Sequence, residues 1–396
     1  MSGDDKAIER AQTMWELVEA RAAASPDVAA LIESERQLTF AELRDRAERV
    51  AAGLHDLGIG RGTRVTWQLP TRIETVVLSL ALARLAAVQN PILPLYRDRE
   101  VGFVVSQVGA EVFCVPGDWN GFDFVAMAER IAEEHDVHPR VLVTYDDLPE
   151  GDPATLPPVP TDGDEVRWIY YTSGTTSAPK GVQHSDGTLM AGGLGLADAL
   201  ELTADDVGSI AFPYSHIAGP DYLMMLLYRG CGAVLIEAFA LDAAVELFAR
   251  KGATMAGGGP AFYQMYLSKQ RSQPGEPIIP SLRLLSGGGA PKPPEMYTEV
   301  KNEMGIPVCH GYGMTECPMI SQGGPDDTEH QLMYTDGRPV TGCQVRIVTL
   351  DGEVAGTDVA GEVRVKGPMV FKGYTDASLD AEAFDDDGWF RTGDLG

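Results

Sequence analysis

"WIYYTSGTTSAPKGVQHS" (Trp168–Ser185) is the stretch that decides how the chain is interpreted, because a short apolar run leads into hydroxyl residues, glycines and one lysine. The run is typical of a buried strand, and ligands bind at the ends of such strands in α/β sheets. The stretch does not match a nucleotide-hydrolase P-loop, in which the lysine follows a glycine and precedes Ser or Thr, since Lys180 lies between Pro179 and Gly181. The hydroxyl groups and glycines still suit an anion, and a solvated polar turn is the alternative.

Strand-like and helix-like segments alternate on both sides of this loop, which predicts parallel sheets covered by helices. A helix is predicted after Thr39, because Thr39 and Glu42 have capping-box spacing. Its apolar residues recur on one face: Leu43, Ala47, Val50, Ala51 and Leu54. The run Val76–Val88 contains Arg84 and is too short to span a bilayer, so it is interpreted as a buried helix.

The sequence predicts three subdomains, roughly residues 1–160, 161–325 and 326–396. The stretch Asp146–Glu165 is rich in proline and acidic residues and is interpreted as a linker. The last segment is strand-rich. The predicted fold class is therefore α/β, with two helix-covered, largely parallel sheets and a small β-barrel-like subdomain.

The composition limits the function classes. The formal net charge is −27, from 31 basic and 58 acidic residues, which argues against nucleic acid or anionic membranes as partners. Five cysteines without a CxxC pair indicate a reduced, cytoplasmic protein whose cysteines pack in the core. The polar N-terminus is not a signal peptide, and no transmembrane segment is predicted. A homodimer is compatible with the sequence.

Three later motifs favour a nucleotide site over the solvated turn. "SLRLLSGGGAPKPP" (Ser281–Pro294) is an apolar strand that enters a glycine turn. "CHGYGMTECP" (Cys309–Pro318) places Tyr312 between two glycines, followed by a hydroxyl beside a carboxylate. "GWFRTGDLG" carries Asp394 in a tight turn. An aromatic face, a hydroxyl with a carboxylate, and a turn aspartate match adenine, phosphate with Mg²⁺, and ribose.

These motifs in this order resemble the large N-terminal domain of the adenylate-forming enzymes, which include acyl-CoA synthetases, peptide-synthetase adenylation domains and firefly luciferase. The resemblance runs from about Trp15 to Gly396 and is strongest to bacterial fatty-acid or alicyclic-acid CoA ligases. It implies ATP, Mg²⁺ and CoA as cofactor and co-substrates. It also implies a carboxylic acid substrate that is activated as an acyl-adenylate.

The resemblance assigns roles to single residues. Thr315 is expected to contact the α-phosphate, and Glu316 to hold Mg²⁺ itself or through water. These two residues and His216 are the implied catalytic residues. Ser177 stands where the family usually has glycine. The implied ATP-binding residues are Thr172, Ser173, Gly174, Thr175, Thr176, Lys180, Gly289, Ala290, Pro291, Tyr312 and Asp394.

The segment Phe212–Met225 matches the one that flanks the acyl pocket in the family. Amino-acid-activating members carry an aspartate in this segment. The matching place here, Pro213–His216, has no aspartate, although Asp221 lies further along. His216 is expected to gate the pocket, with a packed core histidine as the alternative. The implied acyl-pocket residues are His216, Gly257, Gly258, Gly288, Gly313 and Met314. So many glycines suggest a wide pocket for a medium-chain, alicyclic or steroid-derived acid.

The acceptor of the acyl group is expected to be CoA, because the compact stretch after residue 346 has no room for the insertion found in fatty acyl-AMP ligases. The alternatives are an adenylation domain that feeds a carrier protein, and a fragment that binds nucleotide or acid without turnover. The family's small C-terminal domain and its lysine are absent from this sequence, so we expect poor turnover by these residues alone.

Overall fold

The computed structural model describes residues 3–172 and 179–396. Its helices are α1 (Gly3–Arg10), α2 (Met14–Ala24), α3 (Phe40–Asp56), α4 (Ile73–Arg84), α5 (Asp98–Val108), α6 (Phe124–His135), α7 (Asp186–Ala199), α8 (Ala218–Arg229), α9 (Leu241–Lys251), α10 (Pro260–Ser272), α11 (Pro294–Met304), α12 (Glu329–Tyr334) and α13 (Asp380–Ala383). Its strands are β1 (Ala29–Glu33), β2 (Arg36–Thr39), β3 (Arg64–Trp67), β4 (Val88–Pro91), β5 (Val112–Val115), β6 (Asp118–Trp119), β7 (Phe122–Asp123), β8 (Arg140–Val143), β9 (Val166–Tyr171), β10 (Gly181–Ser185), β11 (Val207–Ile210), β12 (Gly232–Leu235), β13 (Met255–Gly258), β14 (Leu284–Gly287), β15 (Val308–Met314), β16 (Cys317–Gln322), β17 (Arg338–Pro339), β18 (Gln344–Val348), β19 (Glu362–Lys366) and β20 (Phe390–Leu395). The alternation of strands and helices confirms the α/β class.

The first large sheet has six strands in the order β10-β9-β4-β3-β5-β8. All neighbours are parallel except β10, which pairs antiparallel with β9 and sets Gly181 opposite Tyr171. The opening loop of the sequence therefore joins the two strands at one edge of this sheet.

The second large layer combines two sheets. One has the order β11-β12-β1-β2 and the other the order β13-β14-β15-β16-β17. The amide of Thr254, just before β13, donates a hydrogen bond to the carbonyl oxygen of Val207 in β11 at 2.8 Å. The two sheets therefore adjoin, and their central strands are parallel, as predicted for the helix-covered layers.

The C-terminal β-rich segment is an antiparallel sheet of three strands in the order β18-β19-β20. Three strands are too few to close into a barrel, and the described residues contain no closed barrel. The segment before α13 hydrogen-bonds to β10: Thr375 N donates to Gly181 O, and Lys372 N donates to Gln183 O, both at 2.8 Å. This pairing carries Tyr374 to the end of the first sheet.

Two predicted helices form for the predicted reasons. Thr39 Oγ1 accepts a hydrogen bond from Glu42 N at 3.2 Å, and Glu42 Oε2 accepts one from Thr39 N at 2.8 Å, which is the capping box of α3. The apolar face of α3 is buried. All twelve residues of α4 are buried, and its eight apolar residues belong to the largest apolar cluster. All five cysteines are buried and none forms a disulfide, as the packing interpretation requires.

The predicted linker region contains one short helical turn, Pro153–Thr155. Both large layers combine strands from the two sides of residue 160, so the boundary there stays a prediction. No helix in the described ranges is both long and apolar enough to cross a membrane.

Candidate active site

The two ends of the opening loop are held together. Thr172 N donates a hydrogen bond to Lys180 O at 3.1 Å, and Lys180 N donates one to Thr172 Oγ1 at 3.4 Å. The chain therefore leaves β9 and returns to β10 at one place, which is the geometry that an anion-binding loop needs. The other predicted phosphate residues lie outside the described residues: Ser173, Gly174, Thr175 and Thr176.

A line of polar contacts leads from the loop to the predicted metal carboxylate. The Nζ of Lys180 lies 5.1 Å from the centre of the Tyr374 ring. The Tyr374 hydroxyl donates a hydrogen bond to Glu316 Oε1 at 2.8 Å. Burial raises the pKa of the Glu316 carboxyl, while Tyr374 and the charge of Lys180 act in the opposite direction. Glu316 is thus buried, with the Tyr374 hydroxyl as a donor and the charge of Lys180 acting on it.

Thr315 is positioned by a histidine that the sequence analysis missed. His184 Nε2 donates a hydrogen bond to the carbonyl oxygen of Thr315 at 2.7 Å, and its Nδ1 lies 2.9 Å from Thr188 Oγ1. Burial lowers the pKa of His184 to about 4, so the ring is neutral and can donate through Nε2. In the sequence, His184 is one of three consecutive polar residues at the end of strand β10, and nothing sets it apart from the other two.

The predicted adenine and ribose residues meet directly. The hydroxyl of Tyr312 donates a hydrogen bond to Asp394 Oδ2 at 2.6 Å. The two residues are far apart in sequence and come from β15 and β20. Tyr312 is half-buried and Asp394 is exposed, so a ring face and a carboxylate are both available to a ligand.

The turn after β14 carries the other predicted adenine residues. Gly289, Ala290 and Pro291 are exposed, and Gly289 has a φ of +82°, which favours glycine. His310 Nε2 donates a hydrogen bond to Ala290 O at 2.9 Å and thereby fixes the turn against β15. The turn and Tyr312 therefore belong to adjacent strands of one sheet.

A pocket opens beside these residues and contains two of the predicted catalytic residues, His216 and Thr315. His216 Nδ1 accepts a hydrogen bond from Ala218 N at 3.2 Å, at the start of α8. The ring is exposed at the pocket mouth, yet desolvation by the surrounding protein lowers its pKa. The rest of the wall includes Ile92, Tyr96, Tyr170, Ser215 and Ile217.

The glycines predicted for the acyl pocket lie where strands approach closely. A Cβ on Gly257, Gly288 or Gly313 would lie 1.8, 2.5 or 2.2 Å from a backbone oxygen. These positions therefore require glycine for backbone packing alone. Met314 is half-buried in β15. The roles of Gly257, Gly258, Gly288, Gly313 and Met314 in binding the acid stay predictions.

Glu316 is a carboxylate that suits a magnesium ion held mainly by a substrate. No group of three or more His, Cys, Asp or Glu side chains in the described part of the chain could enclose a metal ion. Mg²⁺ in nucleotide sites takes one or two carboxylates, with phosphate oxygens and water completing the shell. The single buried Glu316 fits this arrangement and does not fit an all-protein metal cage.

Comparison with known proteins agrees with this geometry. The chain is 31% identical over 396 residues to 2-hydroxy-7-methoxy-5-methyl-1-naphthoate–CoA ligase of Streptomyces carzinostaticus, covering 93% of this chain and 70% of that protein. It is 32% identical over 372 residues to salicyl-AMP ligase / salicyl-S-ArCP synthetase of Mycobacterium tuberculosis, covering 90% of this chain and 65% of that protein.

The fold is also similar to solved structures. The inhibitor-bound N-terminal domain of FACL13 from Mycobacterium tuberculosis superposes with a TM-score of 0.84 at 26% identity, covering 97% of this chain and 96% of that one. The profile of the family described as "AMP-binding enzyme" matches residues 18–375, which is most of the sequence. The chain belongs to the AMP-binding enzyme family.

Proposed function

We propose that the chain activates a carboxylic acid with ATP to form an acyl-adenylate and that the acyl group is then transferred to CoA. The observation that carries this proposal is the convergence of residues from three separate stretches of sequence. Lys180, Glu316 and Tyr374 form one line of contacts, and Tyr312 bonds Asp394 beside it. These contacts support the proposal that the residues expected to meet phosphate, metal and ribose act together.

The chemistry needs positioning and charge neutralisation. An oxygen of the acid attacks the α-phosphorus of ATP, and the bond to pyrophosphate breaks. The thiol sulfur of CoA then attacks the acyl carbon, AMP leaves, and the thiol proton passes to solvent. Mg²⁺ held through Glu316 supplies charge neutralisation on the phosphates when bound. Lys180 adds a point charge, and the Thr315 segment is held in place by His184.

The acid is bound beside His216 in this proposal. The pocket wall there is mainly apolar, with Ile92, Tyr96 and Ile217 among its residues. This lining suits a medium-chain, alicyclic or steroid-derived skeleton. The naphthoate–CoA ligase relative acts on a ring acid, which supports a bulky substrate.

A second candidate is transfer of the acyl group to a carrier protein. The salicyl-AMP ligase / salicyl-S-ArCP synthetase relative favours it, because that protein is named for a carrier-protein product, salicyl-S-ArCP. Both candidates share the adenylation step and differ only in the thiol.

The experiment is a panel of carboxylic acids assayed by ATP–pyrophosphate exchange, followed by thioester formation with CoA or with a carrier protein. Exchange with at least one acid, followed by a CoA thioester, supports the proposal. Because poor turnover is expected, slow exchange still counts as support. Binding of ATP or acid by calorimetry with no detectable exchange for any acid, even in long incubations, would leave a binding protein and overturn the proposal. A thioester on the carrier protein alone would favour the second candidate.

A further inference from the structure

Asp221 is a buried carboxyl group, one oxygen of which has no partner among the residues that the structure describes. It lies in the first turn of α8 and is 1% exposed. Its Oδ1 atom has no hydrogen-bond partner among the described residues. A buried polar atom that is left unpaired costs free energy, and most such atoms in folded proteins have a partner. Asp221 therefore calls for an explanation that the folded chain itself does not supply.

Asp221 lies next to the wall of the His216 pocket. It follows Ile217 by one helical turn, so the two residues share a face of α8. Ile217 lines the pocket together with Tyr170 and Ser215. The hydroxyl groups of Tyr170 and Ser215 are also buried and also lack hydrogen-bond partners in the described structure. Three unpaired oxygens thus lie in or behind one wall.

The carboxyl group packs against the backbone of a glycine and occupies the space that a side chain there would fill. A Cβ added to Gly192, in α7, would lie 2.3 Å from Asp221 Oδ1. The same Cβ would be 3.6 Å from Pro318 Cβ. Gly192, which the carboxyl group contacts, therefore brings no side-chain donor.

The electrostatics are those of an uncharged carboxyl group. Burial raises the pKa of Asp221 to about 8. Tyr170 and Cys317 are titratable groups that interact electrostatically with Asp221. The pKa of each is raised well above its usual value. A neutral carboxyl group can both accept and donate a hydrogen bond, and it attracts a cation once it ionises.

We propose that Asp221 determines acid specificity by hydrogen-bonding a hydroxyl or amine carried on the carbon skeleton of the substrate. This inference rests on the proposed function and narrows it to acids that carry a hydrogen-bond donor away from the reacting carboxylate. Tyr170 and Ser215 are the further oxygens that such a substituent meets. A site built for a polar substituent rejects the analogue that lacks it, because its own polar atoms then stay unpaired.

The test uses acyl-sulfamoyl-adenosines, which are unreactive mimics of the acyl-adenylate, in matched sets with a hydroxyl, an amine or hydrogen on the acyl skeleton. Calorimetric titration gives a Kd for each. We expect the wild-type chain to bind the best donor-bearing mimic at least about tenfold more tightly than its plain analogue. Asp221→Leu should abolish this ratio. Asp221→Asn should keep part of a hydroxyl preference and lose an amine preference, which distinguishes the two donors.

Tyr266→Phe is the matched control, since Tyr266 also has a buried, unpartnered hydroxyl but packs in a different apolar cluster. It should leave the ratio of Kd values unchanged. A wild-type ratio near one for every set, or a ratio that Asp221→Leu leaves intact, overturns the role of Asp221 alone. Failure of every mimic to bind overturns the proposed function with it. ATP–pyrophosphate exchange with the parent acids provides the second readout.

Discussion

Two buried aspartates lie in the first turns of the neighbouring helices α7 and α8, and their surroundings are opposite. Asp186 accepts hydrogen bonds from Trp168 Nε1, Arg167 Nη1 and Met14 N, each at 3.1 Å. Asp221 is equally buried, but its Oδ1 has no partner in the described structure. Similar positions in the two helices therefore hold different groups. Both oxygens of Asp186 accept hydrogen bonds, whereas Oδ1 of Asp221 accepts none from the described residues.

The difference separates structural from functional burial. Asp186 joins the start of α2, strand β9 and helix α7 at one point, so its bonds hold three elements together. Burial raises the pKa of Asp186, and Arg167 with the two N–H donors opposes that shift. Nothing among the described residues repays the burial of Asp221 in this way. A carboxyl group kept at such a cost is a candidate for binding something outside the chain.

The largest expected effect is the loss of stability on replacing Asp186, the hydrogen-bonded aspartate. Asp186→Ala should lower the free energy of unfolding by about 3–5 kcal/mol, because it leaves the buried Arg167 guanidinium without its carboxylate. Urea unfolding curves measure the loss. Asp186→Asn keeps an acceptor for Trp168 and should cost less than the alanine variant. If the alanine variant lost under about 1 kcal/mol, Asp186 would not be the structural half of the comparison.

Glu316 lies between the two extremes, since it is buried and accepts a side-chain hydrogen bond from Tyr374. Glu316→Gln should reduce ATP–pyrophosphate exchange by about 10²–10³-fold, or about 3–4 kcal/mol, because the charge proposed to hold the metal is removed. The melting temperature should change little, since glutamine still accepts from Tyr374. Tyr374→Phe is the companion variant and should cost less activity. Near-normal exchange by Glu316→Gln would reject the metal role.

Asp221 should make the free energy of unfolding fall as the pH rises, which is the opposite of the usual effect of an aspartate in a folded protein. Its folded-state pKa is about 8 against an ordinary value of 3.8, so the native chain keeps a proton that the unfolded chain loses. The free energy of unfolding of the wild-type chain should therefore fall, through this group, as the pH rises from about 4 to about 8, by at most about 1.4 kcal/mol per pH unit. Tyr170 and Cys317 face Asp221 with raised pKa values and stay uncharged across this range.

Asp221→Asn removes that titration. The free energy of unfolding of this variant, relative to the wild-type chain, should rise with pH by at most about 5–6 kcal/mol in total between pH 4 and pH 8. Urea unfolding of both chains at several pH values gives the difference directly. Parallel curves at all pH values would show that Asp221 is ionised in the folded chain or already paired, and the comparison with Asp186 would fail.

Local features of the fold were predictable from the sequence. The capping box of Thr39 and Glu42 and the apolar face of α3 depend on residues within one helix, so spacing alone finds them. The open, three-stranded form of the small β-subdomain was not predictable, because the number of strands that pair depends on contacts between distant segments. The same holds for β10, whose neighbours include the segment around Tyr374.

The site was predictable where a motif carried it and not where a distant residue completed it. Tyr312, Asp394 and Glu316 stand in recognisable motifs, and the structure brings the first two into direct contact. Tyr374 and His184 reach Glu316 and Thr315 across 58 and 131 positions of sequence. Such pairs leave no periodicity, and only the folded chain shows them.

The smallest expected effect concerns His216, which is the exposed member of the pocket that Asp221 adjoins. If His216 gates the pocket, His216→Ala should change the preference between acids of different ring size or chain length. The ratio of their kcat/KM values should change about fivefold, or by about 1 kcal/mol. The KM for ATP should stay within about twofold, because the nucleotide contacts Tyr312 and Asp394 in the proposed site. His216→Asn retains an acceptor for Ala218 N, whose hydrogen bond opens α8, and is the control for a helix-start effect. An equal loss for all acids in the alanine variant, together with a lower melting temperature, would instead identify His216 as a packing residue and leave Asp221 as the polar determinant of the pocket.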